Sequence, residues 1–322
     1  MTHQELLVPP RAHTVRAATL QDAAALAELI NATTLDEVGV AWTDAADMHA
    51  NLAAPSFDLE NDAALVYEER GELVAGLVLY AEDEPVSTVL SLGLVRPDAT
   101  GQGLGTFVTL LGEERALRKR PAAQPGRFTV RASRFVQNEA AAKLFGDLGY
   151  ERVRTWWRMT VELGQDGPAA SLPAGVTIVP FDPQRDARAA YDALHEAFQD
   201  HWGETMGGYG DWKDRVVDGS ASRFVLVASA DDQIAGVLVG RAGLAADPTA
   251  GAVEELGVRR AWRGRGLGLA LLHIALDEFR RRGLARAMLT VDSESPTGAT
   301  RLYERAGMTL ELAWEHWEKE IR

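Results

Sequence analysis

Residues 254–268 gather the side chains and backbone best suited to chemistry. Two adjacent carboxylates, Glu254 and Glu255, precede an apolar run, Leu256-Gly257-Val258, and after it comes Arg263-Gly264-Arg265-Gly266-Leu267-Gly268. An apolar strand that turns into a helix through glycines leaves backbone N–H groups unpaired at the positive end of the helix dipole, which makes an anion site fit for a pyrophosphate. Gly264, Gly266 and Gly268 let that backbone approach a ligand closely, and Arg263 adds positive charge. No Gly-Lys-Ser/Thr follows, so the corner is not a P-loop. The strand also comes late in its domain, behind a hairpin, which argues against a dinucleotide-binding corner. The plainer alternative is a glycine turn that only permits strand-to-helix packing.

The elements that hold this corner can be read on both sides of it. An apolar hairpin spans Phe224 to Arg241, and a strand runs from Val253 to Val258. The periodicity predicts an amphipathic helix from Leu267 to Arg282, a strand from Ala287 to Val291, a helix from Gly298 to Ala306 and a strand from Ala313 to Lys319. Upstream, Val176 to Val179 reads as a strand and Ala187 to Phe198 as a helix.

The same order of elements occurs earlier in the chain. His13 to Arg16 reads as a strand, Leu20 to Leu29 as a helix, and residues 31–62 as loop and short helix. A hairpin follows over Ala64–Tyr67 and Leu73–Tyr80, then a strand at Val89–Val95 and the corner Gly101-Gln102-Gly103-Leu104-Gly105. The helix after it ends at Arg118-Lys119-Arg120 with Pro121 beyond. Phe128–Arg131, Asn138–Leu148 and Thr155–Val161 complete this half as strand, helix and strand. Val95 and Val258 are 163 residues apart, as are Leu104 and Leu267, while Gly149 and Gly307 are 158 apart. So long a period means duplicated domains rather than a solenoid. The Pro/Gly-rich segment 166–175 reads as the linker between domains at 1–165 and 176–322.

Composition bounds the partners. With 322 residues, 46% of them hydrophobic, the chain can fill two cores. Cysteine is absent, which excludes disulfides, thiolate metal sites and cysteine nucleophiles, and the seven histidines show no paired metal-ligand spacing apart from His195 and His201, which a helix would not put on one face. The net charge of −14 argues against general binding to nucleic acid or an anionic membrane. Against it, the cluster Arg259, Arg260, Arg263 and Arg265 stands out. No apolar run is long enough to span a bilayer, and the disordered-looking opening segment lacks signal-peptide character, so the expected address is cytoplasmic.

The order of these motifs carries a family resemblance. Leu256-Gly257-Val258, then Arg263-x-x-Gly266-x-Gly268, then Ala299-x-x-Leu302-Tyr303-Glu304-x-x-Gly307-Met308 resembles the Gcn5-related N-acetyltransferase (GNAT) superfamily. The resemblance covers both halves, and the tandem arrangement is similar to that of the mycothiol synthases. It implies an α/β (α+β) fold of two tandem GNAT-like domains, each a mixed, mostly antiparallel twisted sheet flanked by helices. It also implies acetyl transfer from acetyl-CoA to a primary amine by direct attack in a ternary complex, without a metal.

That reaction needs a neutral amine, support for the oxyanion of a tetrahedral intermediate, and a proton for the departing thiolate. Glu254 or Glu255 would take the amine's proton. Strand alternation puts Glu255 with Gly257 and Glu254 with Leu256 and Val258, and a bulge would reverse the faces, so alternation alone does not choose. By resemblance, Glu254 stands at the usual carboxylate position and Tyr303 at that of the general acid. Leu256, Val258 and the corner residues Arg263, Gly264, Arg265, Gly266, Leu267 and Gly268 fall where the cofactor binds, with a backbone N–H near Val258 as oxyanion donor. One departure is Pro296, where the family often has an asparagine.

The first half keeps the shape and loses chemistry. Thr100 replaces the corner arginine, Phe145 the tyrosine, and no carboxylate lies within Val89–Val95. Val95, Gly101, Gly103, Gly105 and Asn138 are retained as a second cofactor site, in a domain expected to be catalytically silent. Acceptor recognition is expected from His195, His201, Trp202, Glu204 and Trp212, where aromatics and acids crowd among glycines; the bland alternative is that these aromatics seal the domain edge. Other readings are a non-catalytic acyl-CoA sensor or scaffold, and a transferase for longer acyl chains. The chain is expected to be a monomer with an internal pseudo-dimer or a homodimer.

Overall fold

The computed structural model describes residues 8–10, 13–82, 85–121, 126–165, 167–203, 206–219, 222–244 and 247–322. Most of the opening segment, Asp166 of the expected linker and Glu204 lie outside the described residues. Contacts divide the chain into two compact units, Met1–Thr155 with Trp314–Arg322, and Trp156–Ala313. Among the described residues no helix is long and apolar enough to cross a membrane.

The first unit begins with strand β1 (His13–Ala17) and helices α1 (Ala23–Val38), α2 (Ala45–Leu52) and α3 (Leu59–Asp62). Strands β2 (Ala63–Glu68), β3 (Leu73–Ala81) and β4 (Thr88–Val95) lead to α4 (Leu104–Arg118), β5 (Thr129–Phe135) and α5 (Glu139–Asp147). Strand β6 (Glu151–Glu162) then crosses into the second unit. There follow β7 (Thr177–Val179), α6 (Pro183–Phe198), α7 (Tyr209–Val216), β8 (Arg223–Ala230), β9 (Gln233–Ala242) and β10 (Ala250–Val258). The chain continues through α8 (Leu267–Arg281), β11 (Arg286–Asp292), α9 (Ala299–Arg305) and β12 (Thr309–Glu320).

Strand order is β1-β2-β3-β4-β5-β12 in the first unit and β6-β11-β10-β9-β8-β7 in the second. In each, one pair is parallel, β4 with β5 and β10 with β11, and the other pairings are antiparallel. The parallel pair is the one whose strands a helix connects, α4 or α8, as a crossover requires. The fold is therefore the mixed, mostly antiparallel sheet that the family resemblance implies. The unit boundary falls inside β6 and β12, ahead of the 166–175 segment. Trp156–Glu162 of β6 pair with β11 in the second unit, and Trp314–Glu320 of β12 pair with β5 in the first. Each unit thus takes its final strand partly from the other half of the sequence.

Two helices differ from the periodicity reading. Helix α1 runs past Leu29 to Val38, with the Thr33 and Thr34 hydroxyls turned back onto the Leu29 and Asn31 carbonyls of its own preceding turn, and it stops at Gly39, whose φ is +73°. Helix α7 forms inside a segment that reads as loop, with Trp212 and Val216 on one buried face.

Helix α6 is started by Asp182, whose side chain accepts from the Gln184 N–H, and by Pro183 at the first helical position. Its buried face is mostly small, with Ala187, Ala190, Ala193 and Ala197 beside Tyr191 and Leu194, so the helix lies close on the sheet. On the other side of the sheet α8 buries Leu267, Leu271, Leu272, Leu276 and Phe279 against β8–β11. Each such large side chain contributes roughly 1.5–3 kcal/mol by leaving water.

Candidate active site

The decisive local feature is a bulge in β10. Val253 stands opposite Gly240 and Glu255 opposite Val239, which leaves Glu254 as an extra residue. Val253, Leu256 and Val258 all pack in the core under α8, although two positions three apart on a regular strand point to opposite faces. A Cβ on Gly257 would instead meet Leu194 and Ala197 of α6. Both carboxylates therefore face α6 and α7, and the choice that alternation left open becomes a pair.

Their partners confirm the direction. Glu255 accepts the Trp212 indole N–H at 2.9 Å and Arg215 at 2.5 Å. Glu254 accepts two bonds from Arg223, at 2.7 and 3.2 Å, and lies 3.1 Å from Arg241 and 3.9 Å from Arg215. These three arginines were missed in the sequence, although Arg223 and Arg241 close the open end of the β8–β9 hairpin directly opposite one another.

Beyond the bulge β10 parts from β11. Their pairing ends at Val253 and Leu289, while β10 runs on to Val258 and β11 to Asp292. The Arg259 N–H bonds the Ala235 carbonyl at 3.0 Å, so by antiparallel alternation Gly257 and Glu255 also turn their backbone groups to β9. Leu256 and Val258 then direct their N–H groups into the gap left by β11. This is an open row of donors beside the carboxylate pair.

The glycine corner follows. Gly264 and Gly266 hold φ of +75° and +85°, and nothing lies within 4 Å of where a Cβ would stand on either. Gly266 caps α8 without any side-chain acceptor, so the first N–H groups of the helix remain available. Leu267 is buried at its start. Gly268 is small for a different reason: a Cβ there would stand 2.8 Å from Leu302 of α9 and 3.7 Å from Val258. Corner, parted strand and α9 meet at that point.

Arg263 is turned inward. Its guanidinium bonds the Val258 carbonyl at 3.0 Å, the Ala197 carbonyl at 3.0 Å and Asp200 at 2.6 Å, tying the corner to the end of α6. Arg260 and Arg263 hold the Asp200 carboxyl well below the usual carboxylate range. The charge that Arg263 was expected to offer an anion is thus matched by Asp200. Arg265 and the backbone remain at the corner.

Tyr303 lies on α9, next to Leu302, packed against the α8 core. Burial pushes its phenol up to about 12, and among the described residues its hydroxyl takes no hydrogen-bond partner. Where the family often has asparagine, the turn before α9 is held by Ser295 and Thr297, whose hydroxyls lie 2.9 Å apart, and Gly298 caps the helix at φ +70°.

The expected acceptor residues separate. Trp212 is 1% exposed and sits in a core with Tyr191, Leu194 and Val239, so it seals the domain while its N–H serves Glu255. His195 is exposed and stacked on Tyr191. His201 packs against Phe198; burial lowers its imidazole pKa, against the pull of Asp292 at the end of β11. Trp202 is half-buried in the same loop.

The first unit repeats the scaffold. Gly101 and Gly103 hold φ of +75° and +82°, and pairing of β4 with β5 ends at Ser91 and Ala132 although β4 continues to Val95. Gly105 lies against Leu144 as Gly268 lies against Leu302. Asn138 caps α5 through the Ala141 N–H and donates to Glu37 at 2.6 Å. The register of β3 with β4 is unbroken, and Phe145 is buried against Tyr150 and Trp317.

The acetyltransferase (GNAT) family pattern matches residues 187–308. The mycothiol acetyltransferase of Thermobispora bispora is 34% identical over 254 residues, which are 76% of this chain and 79% of that protein. The chain belongs to the GNAT family. A crystal structure of a GCN5-related N-acetyltransferase from Sphaerobacter thermophilus matches this GNAT protein with a TM-score of 0.84 and 32% identity, over 98% of each chain. A tandem GNAT protein from the clavulanic acid biosynthesis pathway shares the fold, with a TM-score of 0.74 and 18% identity over 96% of this chain and 98% of that one. The GNAT protein is accordingly an acyl-CoA-dependent N-acetyltransferase.

Proposed function

We propose that this GNAT protein transfers the acetyl group of acetyl-CoA to the primary amine of a small molecule, by direct attack in a ternary complex, and that the second domain carries the reaction. The observation that carries this reading is the bulge in β10: it turns Glu254 and Glu255 to the α6/α7 face and leaves the Leu256 and Val258 N–H groups directed into the gap beside β11. The pyrophosphate lies on the corner 264–268, and the thioester carbonyl takes a hydrogen bond from the Val258 N–H. One of the two carboxylates accepts a proton from the amine, whose nitrogen forms a bond to the carbonyl carbon. The C–S bond then breaks, and the thiolate takes a proton from the Tyr303 hydroxyl. The first domain, with Phe145 and no carboxylate on β4, is silent in this chemistry.

The relatives named mycothiol acetyltransferase make a mycothiol-related amine the first acceptor to try. The test measures thiol release from acetyl-CoA across a panel of primary amines, for the full chain and for its Tyr303→Phe variant. The reading expects release that depends on the amine and falls by roughly 10²-fold or more without the phenol. Tight acetyl-CoA binding with no release on any amine, or undiminished release in the variant, would overturn it.

A further inference from the structure

The charge around the carboxylate pair does not balance. Glu254 and Glu255 meet three guanidinium groups, from Arg215 on α7, Arg223 on β8 and Arg241 on β9, which leaves one cation in excess in a chain of net charge −14. Pinning the carboxylates does not require all three, because Arg223 alone gives Glu254 two hydrogen bonds and Arg215 with Trp212 holds both oxygens of Glu255. Arg241 is the surplus. Its Nε is buried and lies 3.1 Å from Glu254 Oε1 without hydrogen-bond alignment. None of its five donors has a hydrogen-bond partner among the described residues, and its side chain is 35% exposed. A partly buried guanidinium with unmet donors is a strong recognition element for a carboxylate or phosphate, which it can grip with two parallel bonds.

Its position fixes where such a group stands. Arg241 lies opposite Ala252 of β10, two residues before Glu254, whereas the gap between β10 and β11 opens after Val253. Along the strand the order is therefore gap, carboxylates, arginine. We infer that Arg241, flanked by the half-exposed Arg215, forms an acceptor subsite for an anionic group of the amine, on the side of the carboxylates away from the gap. The inference rests on the acetyl-transfer reading above and narrows its acceptor to an amine bearing a carboxylate or phosphate.

Matched acceptors test it. Acetylation of glucosamine 6-phosphate is compared with that of glucosamine, and of phosphoethanolamine with ethanolamine, in the full chain and in Arg241→Ala and Arg241→Lys. The anionic member of at least one pair is favoured by about tenfold or more, mainly through KM. Arg241→Ala collapses that ratio and Arg241→Lys restores part of it; a ratio cancels any general damage to folding or to Glu254. Equal use of both members in both pairs, or a preference that survives Arg241→Ala, overturns the subsite. If no amine is acetylated, the acetyl-transfer reading fails by itself. Calorimetry with phosphoethanolamine and glucosamine 6-phosphate on CoA-saturated protein then decides the subsite: binding abolished by Arg241→Ala sustains it, and no binding overturns it.

Discussion

Gly257→Ala probes the close seat of α6 on β10, on which the site depends. The new Cβ would stand 2.9 Å from Leu194 Cδ2, 3.0 Å from Ala197 Cβ and 3.5 Å from Leu194 Cα. The Leu194 methyl can swing aside. The Ala197 Cβ is fixed to its helix, so restoring a carbon–carbon separation of about 3.5–4.0 Å moves α6 off the sheet by roughly 0.5–1 Å. Overpacking of this kind costs about 1–3 kcal/mol, offset by about 0.4–1 kcal/mol from the reduced freedom of the unfolded chain, since Gly257 is not at positive φ. A net loss of about 1–2 kcal/mol lowers Tm by roughly 2–8 °C.

Activity falls further than stability, because the retreating helix carries the Ala197 carbonyl and Asp200, which hold Arg263 and the corner. A misplacement near 1 Å can cost up to about 10²-fold in rate, so kcat/KM for thiol release should drop by about tenfold or more. Adding Ala197→Gly removes the atom that the introduced methyl group would meet. That change alone costs about 1 kcal/mol of helix propensity, yet in the double variant it should recover activity. Additive effects, with the double variant as impaired as the two singles combined, would refute the proposed geometry.

Further outcomes follow from single groups. The partly buried Tyr303 phenol, pushed from 10.0 to about 12, stays protonated through pH 10, so a pH–rate profile should show no alkaline loss from this group below about pH 11. In the first unit burial, aided by Arg131, lowers the His316 imidazole from 6.5 to about 4 while Ser133 Oγ lies 2.7 Å from its Nδ1. Between those values the unfolded chain binds the extra proton. Stability is therefore present above pH 6.5 and is lost as pH falls toward 4, by up to about 3 kcal/mol, and His316→Gln should flatten this acid limb in denaturant titrations. Asn138→Ala removes the α5 cap and the bond to Glu37 and should cost about 1–2 kcal/mol, read as a lower Tm.

Much of the fold was legible because each signal is local. The helix expected from Leu104 to Arg118-Lys119-Arg120 and that expected at 267–282 appear as Leu104–Arg118 and Leu267–Arg281, since glycines open them and basic residues close them. Both corners were legible for the same reason. What escaped depends on pairing at a distance. The bulge at Glu254 needs no glycine and leaves only two adjacent glutamates in the sequence; their common face appears when Val253 and Leu256 are both found under α8. The inward turn of Arg263 depends on Ala197 and Asp200, more than sixty residues earlier. Helix α7 was hidden by Gly207, Gly208 and Gly210 at its start, and its burial is decided by Trp212 meeting Tyr191. No local pattern could say which unit the ends of β6 and β12 would join.

The two units together separate scaffold from chemistry. Both part their parallel strands, both reach positive φ at the same two corner glycines, and both seat a leucine of the following short helix on a third glycine. Those features suit a strand-to-helix turn that leaves donors free, and they occur also in the unit whose β4 carries no carboxylate. The register shift in β10 has no counterpart between β3 and β4. Because side-chain direction alternates with every residue, one extra position is enough to bring a second carboxylate to the α6/α7 face without disturbing the core beneath α8. A register shift in one strand, within the same fold, thus distinguishes the unit that holds Glu254 and Glu255 from the one whose β3–β4 register is unbroken.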